Sequence, residues 1–143
     1  PSTVSRLLNM GVEPFLITAA LNGIVAQRLA RRICAECKEA VEVTEQVLRD
    51  LQVPEAKINT FKCYKGAGCA TCAHTGYKGR IAVYEVLVMQ DALKELLLNG
   101  ASTAELKAGA LRLGMRTLRQ SVINKLMDGM TTIQEIGRVS TPD

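Results

Sequence analysis

Tryptophan is absent from the 143-residue sequence, and only three tyrosines and two phenylalanines supply rings. Hydrophobic residues still make up 48% of it, so any core must be built from Leu, Ile, Val, Ala and Met. There is one histidine and no Ser-His-Asp set, and no catalytic constellation is legible. The longest apolar run, residues 15–26, is broken by Thr18, Asn22 and Gly23 and is too short to span a bilayer. No signal-peptide pattern is present, which leads us to expect a soluble, cytoplasmic protein. The net charge of +4 is too small to name nucleic acid as a partner. The length suits one ordinary domain or two small ones. The chain opens without Met in a helix-like pattern, as a piece of a longer protein would.

What the sequence does have is five cysteines, four of them in two Cys-x-x-Cys knuckles, Cys34–Cys37 and Cys69–Cys72. Two intervening residues let both sulfurs of a knuckle reach one ion at about 2.3 Å, and two knuckles complete a tetrahedron. We therefore expect a closed, structural Zn2+ site on Cys34, Cys37, Cys69 and Cys72, in preference to disulfides or free thiols. An odd cysteine count in knuckle spacing also suits a reducing compartment. Cys63 is off the knuckle spacing and reads as a half-buried thiol on a strand, the alternatives being a spare ligand or a redox-sensitive thiol. His74 reads as an exposed loop residue that could compete for the metal. Redox chemistry of the thioredoxin kind is disfavoured, because neither knuckle lies between a clear strand and a long helix.

In chain order, Ser2 or Thr3 can cap a short helix stopped by Gly11. Glu13-Pro14 predicts a second helix, running through Leu29 and apolar nearly all round. Arg28, Arg31 and Arg32 would then complement its C-terminus, or meet a phosphate or another subunit. Val41 and Val43 read as extended, Thr44 as the cap of a short helix ended by Pro54, and residues 58–64 as a lead-in strand. Gly66, Gly68, Gly76 and Gly79 supply tight turns. Residues 81–88 form the clearest strand. Asp91 predicts a capped helix, and three capping boxes follow: Ser102/Glu105, Thr117/Gln120 and Thr132/Glu135. Gly100, Gly114 and Gly129 provide the stops.

Several of these stretches together resemble one family. They are residues 6–16 (RLLNMGVEPFL), 26–32 (AQRLARR), 68–72 (GCATC), 75–80 (TGYKGR) leading into Tyr84-Glu85, and 113–118 (LGMRTL). The chain is similar to the C-terminal part of a secretion-superfamily traffic ATPase, nearest to the type IV pilus assembly and type II secretion ATPases. The resemblance implies a parent hexamer with a RecA-like motor that uses ATP and Mg2+. It also implies an inner-membrane platform protein as partner, and a location peripheral to the inner membrane. The nucleotide loop G-x-x-x-x-G-K-[ST] is absent here, so this chain alone should not hydrolyse ATP. Arg6 would match a family arginine near the nucleotide, or be a surface residue of a short helix. Arg28 would match a motif at the motor's core.

The expected fold class is α+β, predominantly helical: the C-terminal fragment of a RecA-like α/β motor domain, with an inserted four-cysteine zinc module and a helical tail. Residues 1–33 would be motor helices, 34–78 the zinc module, 79–88 a strand returning to the motor sheet and 89–143 the helical domain. The expected function is ATP-driven pilin polymerisation in type IV pilus assembly, with type II secretion as the alternative. A nucleic-acid-binding zinc ribbon is a further alternative, through Lys62, Lys65, Lys78 and Arg80. It is disfavoured by the scarcity of stacking aromatics, and no nucleic acid is expected as a partner.

Overall fold

The structure is a computed structural model describing residues 2–141. In chain order the helices and strands are α1 (Ser2–Asn9), α2 (Pro14–Ala20), β1 (Gly23–Ile33), β2 (Lys38–Val41), α3 (Glu45–Asp50), β3 (Cys63–Gly66), β4 (Tyr77–Val88), α4 (Asp91–Leu98), α5 (Thr103–Arg112), α6 (Leu118–Met127) and α7 (Ile133–Val139). The fold is mixed α/β, with more helix than strand. Two two-stranded sheets form, β1 with β4 and β2 with β3. The second is antiparallel, from Lys38 opposite Gly66 to Val41 opposite Cys63.

The chain divides into two compact units, Pro1–Ala26 with Glu85–Arg116, and Gln27–Tyr84 with Thr117–Asp143. The first packs Val4 and Ile17 against Leu87, Leu93, Leu97 and Leu106. The second packs Leu48, Val53, Ile58 and Cys63 of the cysteine-bearing segment with Val83, Val122, Leu126 and Ile136. Both cores are aliphatic, as the scarcity of rings requires. The helices after residue 89 do not share one core: α4 and α5 belong to the first unit, α6 and α7 to the second.

The second helix is shorter than its sequence pattern predicts. It ends at Ala20, Leu21 is already extended, and β1 begins at Gly23. Asn22 and Gly23 interrupt the helical pattern, and Ile24 and Val25 are β-branched residues that favour a strand. Arg28, Arg31 and Arg32 therefore lie on a strand and cannot complement a helix C-terminus. Residues 58–64 are likewise only partly extended, since the strand starts at Cys63 and Ile58 closes a turn over Glu55–Lys57.

Two of the three capping boxes form, at Ser102/Glu105 and Thr117/Gln120. Thr132 does occupy the cap position of α7, but its side chain makes no cap bond. Its hydroxyl meets the Tyr77 hydroxyl at 2.8 Å instead, and Glu135 is engaged by arginines. Thr44 precedes α3 without a side-chain cap bond, and Asp91 is the first residue of α4, behind Gln90. Ser2 and Thr3 lie within α1. The stops hold as expected, with positive φ at Gly100, Gly114 and Gly129. Among the described residues no helix is long and apolar enough to cross a membrane.

Candidate metal centre

Each knuckle is a single 3₁₀ turn, Ala35–Cys37 and Ala70–Cys72, set at the end of a strand. The first links β1 to β2, and the second follows β3 and leads into β4. The Cys34 N–H donates to the Gly76 carbonyl at 3.0 Å, and the Ala67 N–H to the Cys37 carbonyl at 2.9 Å. These bonds tie the two knuckles together at the open ends of the two strand pairs. The approach demands glycine. A Cβ on Gly66 would lie 2.1 Å from the Gly76 oxygen, and one on Gly76, whose φ is +76°, would lie 2.5 Å from the Gly66 oxygen.

The result is four sulfurs, all within 4.8 Å of one another. Cys34 Sγ lies 3.8 Å from Cys69 Sγ, Cys37 Sγ 3.9 Å from Cys72 Sγ, and Cys69 Sγ 3.7 Å from Cys72 Sγ. These separations exclude disulfides, whose S–S bond is about 2.05 Å. They fit a tetrahedron, since four sulfurs at ~2.3 Å from one ion stand ~3.8 Å apart. Cys34 and Cys72 are buried, Cys37 and Cys69 half-buried.

Backbone amides aim at the sulfurs. Gly68 N–H donates to Cys37 Sγ, and both Cys69 N–H and Gly76 N–H donate to Cys72 Sγ, each at 3.3 Å. The Cys69 amide, followed by that of Gly76, brings Cys72 down to about 6. Desolvation pushes Cys37 up to about 12 against the pull of the Gly68 amide. The amides thus favour the thiolate at Cys72, while burial favours the thiol at Cys37. A thiophilic dication would displace the remaining protons.

Cys63 is not part of the cluster. It sits on β3 opposite Val41, is buried in the aliphatic core, and burial raises its pKa. His74, in a left-handed conformation at φ +60°, is exposed and also outside the cluster. Arg6 is exposed near the end of α1, and Arg28 is exposed on β1.

Sequence reasoning missed a polar assembly beside the cysteines. Glu135 is fully buried on α7 and accepts from the Arg31 backbone N–H at 2.7 Å and from Arg31 Nε at 2.8 Å. Arg138 Nη2 reaches the same carboxylate at 2.6 Å and also donates to the Leu29 carbonyl at 2.8 Å. Thr131 Oγ1 donates to the Arg31 carbonyl at 2.8 Å, and the Ile33 N–H donates to the Met130 carbonyl at 3.0 Å. Residues 130–138 thereby satisfy the edge of β1 that β4 leaves open, in place of a third strand. Arg31 also stacks over the Tyr77 ring at 4.1 Å. Burial alone would raise the Glu135 pKa, but hydrogen bonds from Arg138 and Arg31 outweigh it and bring the pKa down to about 2. The only sequence signal was an unusual cluster of arginines.

The family model described as "Type II/IV secretion system protein" matches residues 1–138. The chain belongs to this family. Among curated proteins of the family, it is 58% identical over its whole length to the type IV pilus assembly ATPase PilB of Myxococcus xanthus. It is 46% identical over 93% of its length to the PilB of Thermus thermophilus. A type II secretion system ATPase E, from Vibrio cholerae, is 37% identical over 96% of the chain. The chain spans only 25%, 15% and 27% of these three relatives.

Proposed function

We propose that this chain is the C-terminal region of an ATPase that drives type IV pilus assembly, and that its four cysteines hold one structural Zn2+. The observation that carries the reading is the four-sulfur tetrahedron in a chain 58% identical to a pilus assembly ATPase. A bound Zn2+ would cross-link the two knuckles and, saturated by four thiolates, would leave no position for a reacting water. The residues themselves do the rest. The amides of Gly68, Cys69 and Gly76 stabilise thiolate charge, and the paired glycines bring the knuckles within reach of one ion.

In the parent, residues 1–33 and 79–88 would complete a RecA-like motor, 34–78 would form the metal module and 89–143 the tail. The parent would work as a cytoplasmic hexamer on an inner-membrane platform protein, converting ATP hydrolysis with Mg2+ into pilin addition. Arg6 and Arg28 would lie near the nucleotide. This chain lacks the phosphate-binding loop and would be inactive alone. The match to a type II secretion ATPase supports the second reading, the same region of a secretion motor.

Two experiments test this. Elemental analysis of reduced, purified chain should give one zinc per chain; none would remove the metal reading. Grafting the chain in place of the matching region of the Myxococcus pilus ATPase should preserve pili in a strain lacking that enzyme. A graft that restores secretion in a type II host but no pili would favour the second reading.

A further inference from the structure

We infer that Glu135 positions the ligand Cys34 through β1, so that docking of α7 and loading of the metal are one coupled event. The inference rests on the metal reading above and goes beyond it, because it assigns a role to residues that touch no sulfur.

The coupling follows from alternation along one strand. Arg31 and Ile33 turn their backbone N–H groups to residues 130–135, and the Cys34 N–H turns the other way, to Gly76. Cys34 is therefore held on both sides within two residues. Its neighbour Ile33 is pinned to the Met130 carbonyl, and its own amide is pinned to the glycine that packs against Gly66 and donates to Cys72 Sγ. A second connection runs through Tyr77, the residue after Gly76. Its ring carries Arg31 and its hydroxyl meets Thr132 at the start of α7. Both routes end on Glu135, through Arg31 and through the first turn of α7.

Glu135 is what makes the dock specific. A buried carboxylate is costly unless its lone pairs are filled; Arg138 fills some from within α7, and only the docked geometry adds the Arg31 backbone amide and guanidinium. If residues 130–138 leave, Arg31 and Ile33 lose their edge partners and Cys34 is held on one side only. If the metal leaves, Gly76 keeps the Cys34 amide and Tyr77 keeps Arg31, but the cross-link through the four sulfurs that braces both against β1 is gone. By linkage, whatever Glu135 adds to metal affinity, the metal adds to the docking of α7.

The test uses the full 143-residue chain with zinc alone. A chromophoric chelator in competition gives the zinc affinity. Glu135→Gln should lower it about tenfold, the range seen when a ligand's supporting partner is removed. Glu55→Gln, which breaks an exposed ion pair in the same unit, should leave it unchanged. Amide exchange in the unsubstituted chain gives the converse and does not depend on the variant folding. Removing zinc should speed exchange at Arg31, Ile33 and α7 at least tenfold, while α4 and α5 keep their protection. One zinc per chain with unchanged exchange at Arg31, Ile33 and α7, or equal zinc affinity in Glu135→Gln, would overturn the coupling and leave the metal site standing. A chain that binds no zinc at all would remove the metal reading itself, an outcome visible in the metal content before any exchange is measured.

Discussion

Gly66 and Gly76 face each other so closely that neither could carry a side chain. A Cβ on the first would sit 2.1 Å from the carbonyl oxygen of the second. The obstacle is backbone on both sides, so no rotamer change relieves it. Gly66→Ala must push the two knuckles apart. We expect a loss of at least ~3 kcal/mol in stability and more than about tenfold in zinc affinity. Gly79→Ala is the matched control. Gly79 also has positive φ, +79°, but nothing lies within 4 Å of its missing Cβ, so only the conformational cost of ~1–2 kcal/mol applies. Urea unfolding and chelator competition on both variants check this. Equal losses would mean that backbone conformation, and not the close approach, dominates.

Glu135→Gln removes the charge that two guanidinium groups and a backbone amide surround. Both arginines keep about half their side-chain surface in solvent, at 46% and 48%, so part of the loss is recovered by hydration. The expected destabilisation is roughly 2–3 kcal/mol, below the about 3–5 kcal/mol for breaking a fully buried pair. It is read as a lower urea midpoint with an unchanged slope.

The same carboxylate gives a pH dependence of known sign. Its folded pKa of about 2 lies below the ordinary 4.5, so its stabilisation is fully present above pH 4.5. It is lost as pH falls from there through 2. The stability gap between the zinc-free unsubstituted chain and Glu135→Gln should therefore be constant from pH 7 to 5 and close toward pH 2. Comparing the two chains cancels other carboxylates, such as Glu45 and Glu105, whose pKa values are also lowered. A gap that persists at pH 2 would show that packing, not charge, is what the substitution removes.

Cys63→Ala should leave zinc at one per chain, because the thiol belongs to the aliphatic core and not to the sulfur cluster. Only the small buried side chain is lost, at a cost of about 1 kcal/mol. In the zinc-free chain Cys72, brought down to about 6, should react with a disulfide reagent well before Cys63, whose pKa is raised by burial. A zinc content below one in Cys63→Ala would bring the fifth cysteine into the site.

What the sequence made legible was local. The two-residue knuckle spacing identified the four clustered sulfurs, and two of three capping boxes formed where Ser102 and Thr117 announced them. The failures were cases where distant residues decide. The run from Pro14 to Leu29 satisfies a helical pattern as well as a strand, and pairing with β4, more than fifty residues on, selects the strand after Asn22. Thr132 and Glu135 have capping-box spacing, but Tyr77 and Arg31 compete for their side chains and win. No window of sequence could show that, since Arg31 and Glu135 lie 104 residues apart.

That separation governs the order in which the chain can mature on the ribosome. The edge of β1 that ends at Cys34 emerges about a hundred residues before the residues that complete it. Domains generally fold as their residues emerge from synthesis, and contacts this distant in sequence form late. The first knuckle therefore waits until residues 130–138 emerge. A chain truncated before α7 would carry all four cysteines and still lack Glu135, which holds the Arg31 end of that edge.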